Sequence, residues 1–371
     1  VDTLSQNLNK LVSFGTRATL SNQSSALKGI GAARAWILSR FNDYAKSSNG
    51  RLTAFIDTIT YNADKRRVDR PIILGNVVAT LKGTDPNDKR IFIISGHLDS
   101  RRSNEMDSVG DAPGAYFMAN KAKKENWKIE AVLNNDIMGS NNSNETNIVD
   151  NTRIRVFSEG LSVTDTGRVA MQIRNLGLEN DGRSRQLARY VKEIGERYVE
   201  NLQVMMIYRN DRFLRGGDHT AFVENGFAAV RITEMNENYT RQHQDIRVEN
   251  GIHYGDVTEH IDFEYLRKNT SMNLANLANL AKAPAIAEEV KVDVKKLTNT
   301  TYLYWKAPST GRAKGYYVLI RETTSPVWQK KIYTEALSMS LPYSKDNYFF
   351  AVQAVNETGN ESLPVIPAVG R

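Results

Sequence analysis

The hydrophobic pattern of this chain changes once, near Ala283-Pro284-Ala285, and the change constrains its architecture. Before this point, segments with helical spacing of apolar residues alternate with short β-branched runs. After it, helical spacing disappears, and short β-rich runs follow one another with turn residues between them. The sequence therefore predicts two domains, residues 1–283 and 288–371, and a length of 371 residues is sufficient for both.

Residues 1–283 have the pattern of an α/β domain. Helical spacing is clear in residues 4–14, 181–198 and 263–281, and strand-like runs lie between such segments. This alternation predicts a mostly parallel-stranded sheet with helices on both faces and a site at the carboxyl ends of its strands. The run at residues 91–95 is apolar on both faces, which is typical of a central strand in a covered sheet.

Residues 288–371 have the pattern of an all-β sandwich. The strongest runs are Leu303-Tyr304-Trp305, residues 315–319 and residues 348–356, the last followed by Gly359-Asn360-Glu361-Ser362. These runs resemble a fibronectin type III domain. The resemblance implies a module that packs or binds, and we assign it no catalytic role.

The composition excludes several classes of site and partner. The chain has no Cys, which excludes disulfides, Cys-bound zinc, iron–sulfur clusters and thiol catalysis. The net charge is only +7, and the cluster Lys65-Arg66-Arg67 has no interleaved aromatic residues, so we expect no nucleic-acid partner. No apolar run approaches the roughly 18 residues of a membrane span. Because the chain begins at Val1, we expect that a signal peptide or a tag was removed.

Two polar motifs follow directly on apolar strands. His97 comes just after the strand of residues 91–95, and Asp99 is placed to accept a hydrogen bond from its ring, as metal-binding His requires. Asp136 follows the next apolar strand and would converge with His97 if the two strands are neighbours. The alternatives are structural, namely a capped strand end at His97 and a turn cap at Asp136.

The other polar loops carry weaker signals. His243 lies in a polar loop, where most His residues are exposed and without function. Asp218 and His219 begin a predicted helix, where a carboxylate is favourable for structural reasons alone. Glu234, which ends a predicted strand, and Asp211 are expected near the crevice, and neither is assigned as a base. We expect Asp218, His219 and Glu234 to line a substrate pocket.

The order of the loops is more specific than any one of them. The motifs are GHLDS at 96–100, DAPGA at 111–115, NNDIMG at 134–139, GGDHTAF at 216–222 and RQHQD at 241–245. Over residues 1–283 this ordered set resembles metallopeptidase family 28, the two-zinc aminopeptidases of the bacterial leucyl aminopeptidase type. The resemblance implies hydrolysis of peptide N-termini, with two zinc ions about 3.5–4 Å apart polarising the scissile carbonyl.

The resemblance also implies roles for individual residues. His97 and Asp136 would bind one zinc ion, His243 would bind the other, and Asp99 would orient His97. Peptide is the implied substrate or ligand. Because bacterial members of this type with a trailing fibronectin-like module are exported, we expect a secreted, periplasmic or cell-surface bacterial protein.

The chain departs from the family pattern at one junction, Ala115–Tyr116. There the family has a bridging Asp, a helix and a strand ending in a Glu-Glu pair, whose first Glu is the general base and whose second binds metal. In this chain Ala115 is followed at once by the stretch that comes after that strand. One zinc ion or none is then possible, and the lost base is typically worth about 10²–10⁴-fold in rate.

Two explanations of the departure remain open. Either the natural protein has the helix–strand unit and this chain omits it, or the chain is a shortened, non-catalytic relative that binds peptide or another partner. We favour the first, because removing a central strand exposes apolar surface that marginally stable domains tolerate poorly. The expected function is therefore a zinc-dependent aminopeptidase, and the alternative is a binding protein on a peptidase fold.

Overall fold

A computed structural model describes residues 1–63, 68–100, 113–213 and 215–370. The cluster Lys65-Arg66-Arg67 and the first two residues of the 111–115 motif, Asp111 and Ala112, lie outside these ranges. We call residues 1–282 the N-terminal region and residues 288–370 the C-terminal region. This division follows from where the helices end, at Lys282, and where the later strands begin, at Glu288.

The helices of the N-terminal region are α1 (Asp2–Val12), α2 (Gly29–Ala45), α3 (Pro113–Lys124), α4 (Gly167–Asn175), α5 (Arg183–Tyr198), α6 (Asp218–Glu224) and α7 (Phe263–Lys282). Its strands are β1 (Leu52–Tyr61), β2 (Ile72–Leu81), β3 (Arg90–Ser95), β4 (Lys128–Asn135), β5 (Arg153–Phe157), β6 (Gln203–Ile207), β7 (Ala229–Glu234), β8 (Arg247–Glu249) and β9 (Ile252–Tyr254). Most of these elements were predicted from periodicity, whereas α4 and the β8–β9 pair were not.

The central sheet has five strands in the order β3-β4-β7-β5-β6. The pairs β3–β4, β4–β7 and β5–β6 are parallel, and only β5–β7 is antiparallel. One face is covered by α5 and α7, whose apolar side chains pack on Leu133, Ile154 and Ile232. The other face is covered by α3 and α6. The predicted mostly parallel sheet with helices on both faces is confirmed.

The prediction that residues 91–95 form a central strand is wrong. Within the described residues, β3 pairs only with β4, and β2 pairs only with β1 in a separate hairpin. The side chain of Ile94 is 41% exposed, although β4 and β7 are almost entirely buried. Apolar residues on both faces indicate that a strand is built to be covered, but they do not state where it lies in the sheet.

The β1–β2 hairpin joins the rest of the region through α2 and α3. The helix α2 packs on both strands of the hairpin. From β2, Asn76 Nδ2 donates to the carbonyl of Gly114 at 2.8 Å, and Lys121 Nζ of α3 donates to Asp57 Oδ2 of β1 at 2.8 Å. The helix α3 runs without interruption through Ala115 and Tyr116. The point where the chain departs from the family pattern therefore lies within a continuous helix that contacts the hairpin.

The C-terminal region consists of strands. They are β10 (Glu288–Asp293), β11 (Thr301–Lys306), β12 (Gly315–Glu322), β13 (Lys330–Thr334), β14 (Ser338–Leu341), β15 (Tyr348–Val355) and β16 (Ala368–Gly370). They form one sheet in the order β14-β11-β10-β16 and another in the order β13-β12-β15. Apolar residues of both sheets, such as Leu303, Trp305 and Val318, meet in one core. The predicted runs are all strands, and only β14 and β16 were not anticipated.

Candidate functional site

The parallel pairing of β3 and β4 brings two predicted residues together at the carboxyl edge of the sheet. In the register of this pair, Ser95 lies opposite Asn134, and Ser95 Oγ donates to Asn134 Oδ1 at 2.9 Å. The next residues along each strand therefore leave the sheet side by side. As a result, His97 Nε2 lies 3.4 Å from Asp136 Oδ1.

His97 is held between two carboxylates. Its Nδ1 lies 3.2 Å from Asp99 Oδ1, so the predicted pairing of Asp99 with the ring is present. The His97 side chain is 42% exposed, which leaves it accessible from solvent. Asp136 and then Asp99 raise the pKa of His97 well above its ordinary value, because both stabilise the protonated ring.

Asp136 is fixed from the opposite side by Arg231. The guanidinium of Arg231 is fully buried, and its Nη2 lies 2.9 Å from Asp136 Oδ2. Its Nη1 donates to Asp211 Oδ1. Burial raises the pKa of Asp136, but His97 and Arg231 outweigh it and hold the pKa well below the usual range. Asp136 is therefore an oriented, ionised carboxylate with one oxygen directed at His97.

Arg231 is a site residue that sequence reasoning missed, whereas Asp211 was expected near the crevice but without a role. The signal for Arg231 was present, because it is a charged residue between the apolar Val230 and Ile232 of β7, and every residue of that strand is buried. A charge in such a strand requires a buried partner of opposite sign. Asp211 lies in an irregular loop, and nothing in its local sequence indicates its contact with Arg231.

The third predicted metal ligand, His243, lies in a turn after β7. Its φ of 53° is in the left-handed region, as is the φ of 61° at Ile137, next to Asp136. Such conformations are costly for residues with a Cβ and often occur at functional sites. Asp256, another residue that was not predicted, is influenced by both His243 and His97. Desolvation raises the pKa of Asp256, whereas the charges of these two rings lower it. Both rings therefore lie within the electrostatic field of Asp256.

The three residues expected in a substrate pocket have different positions. Asp218 begins α6, and burial raises its pKa to about 6 against the influence of His97. His219 is fully buried, with Nε2 2.8 Å from the carbonyl of Asn210. Glu234 is also fully buried and accepts from the backbone N–H of Ser140 at 2.7 Å. Asp218 is thus partly accessible, whereas the side chains of His219 and Glu234 are fully enclosed by protein.

The donor atoms allow a direct test of the expected zinc. Two ligands of a tetrahedral zinc ion lie about 3.3–3.5 Å apart, given zinc–ligand distances of about 2.0–2.2 Å. The 3.4 Å between His97 Nε2 and Asp136 Oδ1 matches this separation. Among the residues that the structure describes, however, no three His, Asp or Glu side chains converge to hold a metal ion. The described residues therefore offer two donor atoms at a separation that zinc can use, and they do not form a complete zinc centre.

Known proteins show what this arrangement is related to. A probable zinc metalloprotease of Leptosphaeria maculans is 36% identical, with 98% of this chain and 93% of the relative aligned. Probable zinc metalloproteases of Pyrenophora tritici-repentis and Pyricularia oryzae are 34% and 35% identical, with 98% of this chain aligned and 84% and 81% of the relatives. The chain belongs to this zinc metalloprotease family. The relatives' names agree with zinc as the expected metal.

The metalloprotease family also corrects one expectation. Its three members named above are fungal, so the expected bacterial origin is wrong. The expected periplasmic or bacterial cell-surface location is wrong for the same reason.

No helix in the described ranges is long and apolar enough to cross a membrane. No protein-family model matches the chain. Among solved structures, the LapA aminopeptidase of Legionella pneumophila is 14% identical with a TM-score of 0.48, over 76% of this chain and 69% of that one.

The metalloprotease relatives are longer than this chain within the aligned region. The alignment with the L. maculans relative extends over 405 positions, which exceeds the 371 residues of this chain by 34. The alignment with the P. oryzae relative extends over 411 positions. Each of these relatives therefore has at least 34 residues for which this chain has no counterpart, and they fall inside the alignment.

Proposed function

We propose that the protein is a zinc-dependent aminopeptidase of the family 28 type, acting on peptide N-termini. The observation that carries the proposal is the 3.4 Å approach of His97 Nε2 to Asp136 Oδ1 at the ends of adjacent parallel strands. The ordered motifs name these two side chains as ligands of one metal ion. The proposed number of ions is two, with His243 on the second.

The charges around His97 support an aminopeptidase rather than a general peptidase. Asp99 and Asp136 lie beside the ring, and the pKa values of Asp218 and Asp256 respond to it. A group of carboxylates attracts a cation, and the free α-amino group of a peptide is such a cation. A peptide with a blocked N-terminus lacks this charge.

We further propose that this chain lacks a helix–strand unit between Ala115 and Tyr116. Within the described residues the outer edges of β2 and β3 have no strand partner and Ile94 is exposed, which supports this, because an apolar edge strand is normally paired or covered. The at least 34 additional residues of the relatives are enough for a helix and a strand. The unit would supply the missing ligands and base, so we expect no turnover from the chain alone.

Restoring the segment tests these proposals. The unmatched residues of the L. maculans relative are inserted between Ala115 and Tyr116, and both proteins are tested for zinc binding by equilibrium dialysis. Each is then assayed on a leucyl anilide and on its N-acetyl derivative. We expect the restored protein alone to bind zinc tightly and to cleave only the free-amine substrate, with loss of activity on chelation. Equal cleavage of the acetylated substrate would contradict the aminopeptidase assignment.

The second candidate function is peptide or partner binding without catalysis. The contact that favours it is Arg231 to Asp136 Oδ2, because a buried guanidinium already neutralises the carboxylate without a metal ion. Mass spectrometry of the natural protein separates the candidates. If residues 1–371 of the natural protein have a mass of 41.7 kDa and yield a proteolytic peptide that is continuous through Ala115–Tyr116, the binding protein is favoured. A larger mass, caused by extra residues at this junction, would favour the enzyme.

We also propose that the C-terminal region is a fibronectin type III-like domain and that the domain boundary lies near Pro284. The sheets of four and three strands around a shared core support this proposal.

A further inference from the structure

The N-terminal and C-terminal regions share a buried carboxylate, Asp181. Its Oδ1 accepts from Arg189 of α5 at 2.9 Å, and its Oδ2 accepts from Arg321 of β12. All three side chains are almost completely buried. Separating the regions would leave Asp181 without one of its two counter-charges, and a buried charge that loses its partner is strongly destabilising. The two regions are therefore held in one relative position.

A second contact beside Asp181 reaches the strand β6. The carbonyl oxygen of Pro326, in the C-terminal region, accepts from Arg189 Nε at 2.7 Å and from the Tyr208 hydroxyl at 3.0 Å. The guanidinium of Arg185 lies 3.6 Å from the centre of the Tyr208 ring. Tyr208 is the first residue after β6, so the C-terminal region fixes the start of the loop that follows this strand.

The same loop carries Asp211, which belongs to the candidate site. Asp211 Oδ1 accepts from Arg231 Nη1 and from the backbone N–H of Arg212, the latter at 2.6 Å. Its other oxygen lies 3.6 Å from His219 Nε2. Because Arg231 contacts Asp136 with its second terminal nitrogen, the position of Asp211 decides where Arg231 can hold Asp136.

From these contacts we propose that the C-terminal region positions the candidate site, with Tyr208 as the positioning residue. The path is continuous: the Pro326 carbonyl holds Tyr208, the Tyr208 loop holds Asp211, Asp211 holds Arg231, and Arg231 holds Asp136. The inference goes beyond the proposed function and does not depend on it, because every contact in the path joins residues of this chain.

The substitution Tyr208→Phe tests the path in the full chain. It removes the hydroxyl that donates to Pro326 and keeps the ring beneath Arg185. The matched control is Tyr198→Phe, which removes the same atom from a tyrosine that is 58% exposed at the end of α5. The readouts are amide hydrogen exchange of residues 208–213 and the imidazole ¹⁵N signals, which are few because the chain has five His.

We expect Tyr208→Phe to raise amide exchange in residues 208–213 about five- to tenfold and to shift the imidazole signals of both His219 and His97. The control should leave all three readouts unchanged. A merely structural hydroxyl would not move the signal of His97, which lies at the far end of the path. Unchanged His97 and His219 signals in Tyr208→Phe would overturn the proposal.

A second variant tests the inner half of the path. Asp211→Asn keeps the shape of the side chain but weakens its hold on Arg231, and it should shift the His97 signal more than Tyr208→Phe does. If Asp211→Asn folds and leaves the His97 signal unchanged, the link through Arg231 is absent and the proposal fails.

Discussion

Arg231 holds Asp136 at 2.9 Å from inside the sheet, while His97 approaches the other oxygen of the same carboxylate from the solvent side. The guanidinium also binds Asp211, so one buried cation serves two buried carboxylates. Asp136 is thereby ionised and fixed in direction before any ligand binds. The direction of Asp136 is therefore set by a residue that lies behind it in the sheet.

Replacing Arg231 with Met should destabilise the protein severely. The change leaves Asp136 and Asp211 buried without their shared counter-charge, and we expect the free energy of unfolding to fall by about 3–5 kcal/mol. Urea unfolding measures the change. The control is Arg247→Met, because the pair between Arg247 and Glu249 is exposed and should contribute less than about 1 kcal/mol. Equal unfolding midpoints for the two variants would disprove the assignment.

Glu234 should make the stability depend on pH. Burial raises its pKa to about 8, with Glu237 acting in the same direction and the N–H of Ser140 and Arg155 opposing. Arg241 is a further charge close to it. Since the ordinary value is 4.5, the folded protein binds a proton that the unfolded chain releases. The stabilisation is complete below pH about 4.5 and is lost as the pH rises to about 8, by roughly 4–5 kcal/mol at most.

The variant Glu234→Gln removes this dependence. It cannot ionise, and the side chain of Gln242, which donates to Glu234 Oε1, can reverse its amide to accept instead. We expect the free energy of unfolding to fall less steeply between pH 5 and 8 than in the wild type. The exposed Glu264 serves as the control, since Glu264→Gln should leave the slope unchanged. If the free energy of unfolding of Glu234→Gln changes with pH as steeply as that of the wild type, the Glu234 carboxyl is ionised in the folded protein.

The two regions should unfold together because of Arg321. In the wild type we expect one urea transition, seen equally by fluorescence and circular dichroism. Arg321→Met leaves Asp181 with one counter-charge and should lower the midpoint and separate two transitions. Lys306→Met is the control, because the pair between Lys306 and Glu289 is exposed. Two transitions already present in the wild type would show that the contact does not couple the regions.

Among the residues that the structure describes, β3 has no partner on its outer edge, so this chain should be prone to association. Substituting the exposed Ile94 by Lys places a charge on the edge strand, which discourages pairing with another chain. We expect light scattering at high protein concentration to fall. Val248→Lys adds the same charge at an exposed position on β8 and should have little effect. In the chain with the restored segment, Ile94→Lys should instead be destabilising, because the edge would be covered.

Sequence periodicity predicted the strands and helices with a continuous apolar face. The helix α4 was missed because it buries only Ala170 and is otherwise polar, so its pattern is weak. The β8–β9 pair was missed because its strands have three residues each and almost no burial. The placement of β3 at the sheet edge was not predicted, since the composition of a strand does not state which neighbours are present.

The candidate site was predicted only in part for the same reason. His97 and Asp136 could be predicted to meet because each directly follows a strand, and parallel neighbours end at the same edge. Arg231 and Asp211 approach each other through a fold contact that spans 20 residues of sequence, with no local motif. Asp256 reaches the site from a loop whose course depends on tertiary packing.

Asp181 has a consequence for how this protein can change over evolutionary time. Its counter-charges come from two different regions, so a mutation of the carboxylate is penalised in both, and a C-terminal region without an arginine at position 321 would meet an unpaired charge. Such a region cannot be exchanged for an unrelated module in a single recombination event. We therefore expect residues 181, 189 and 321 to change together rather than singly in relatives of this protein.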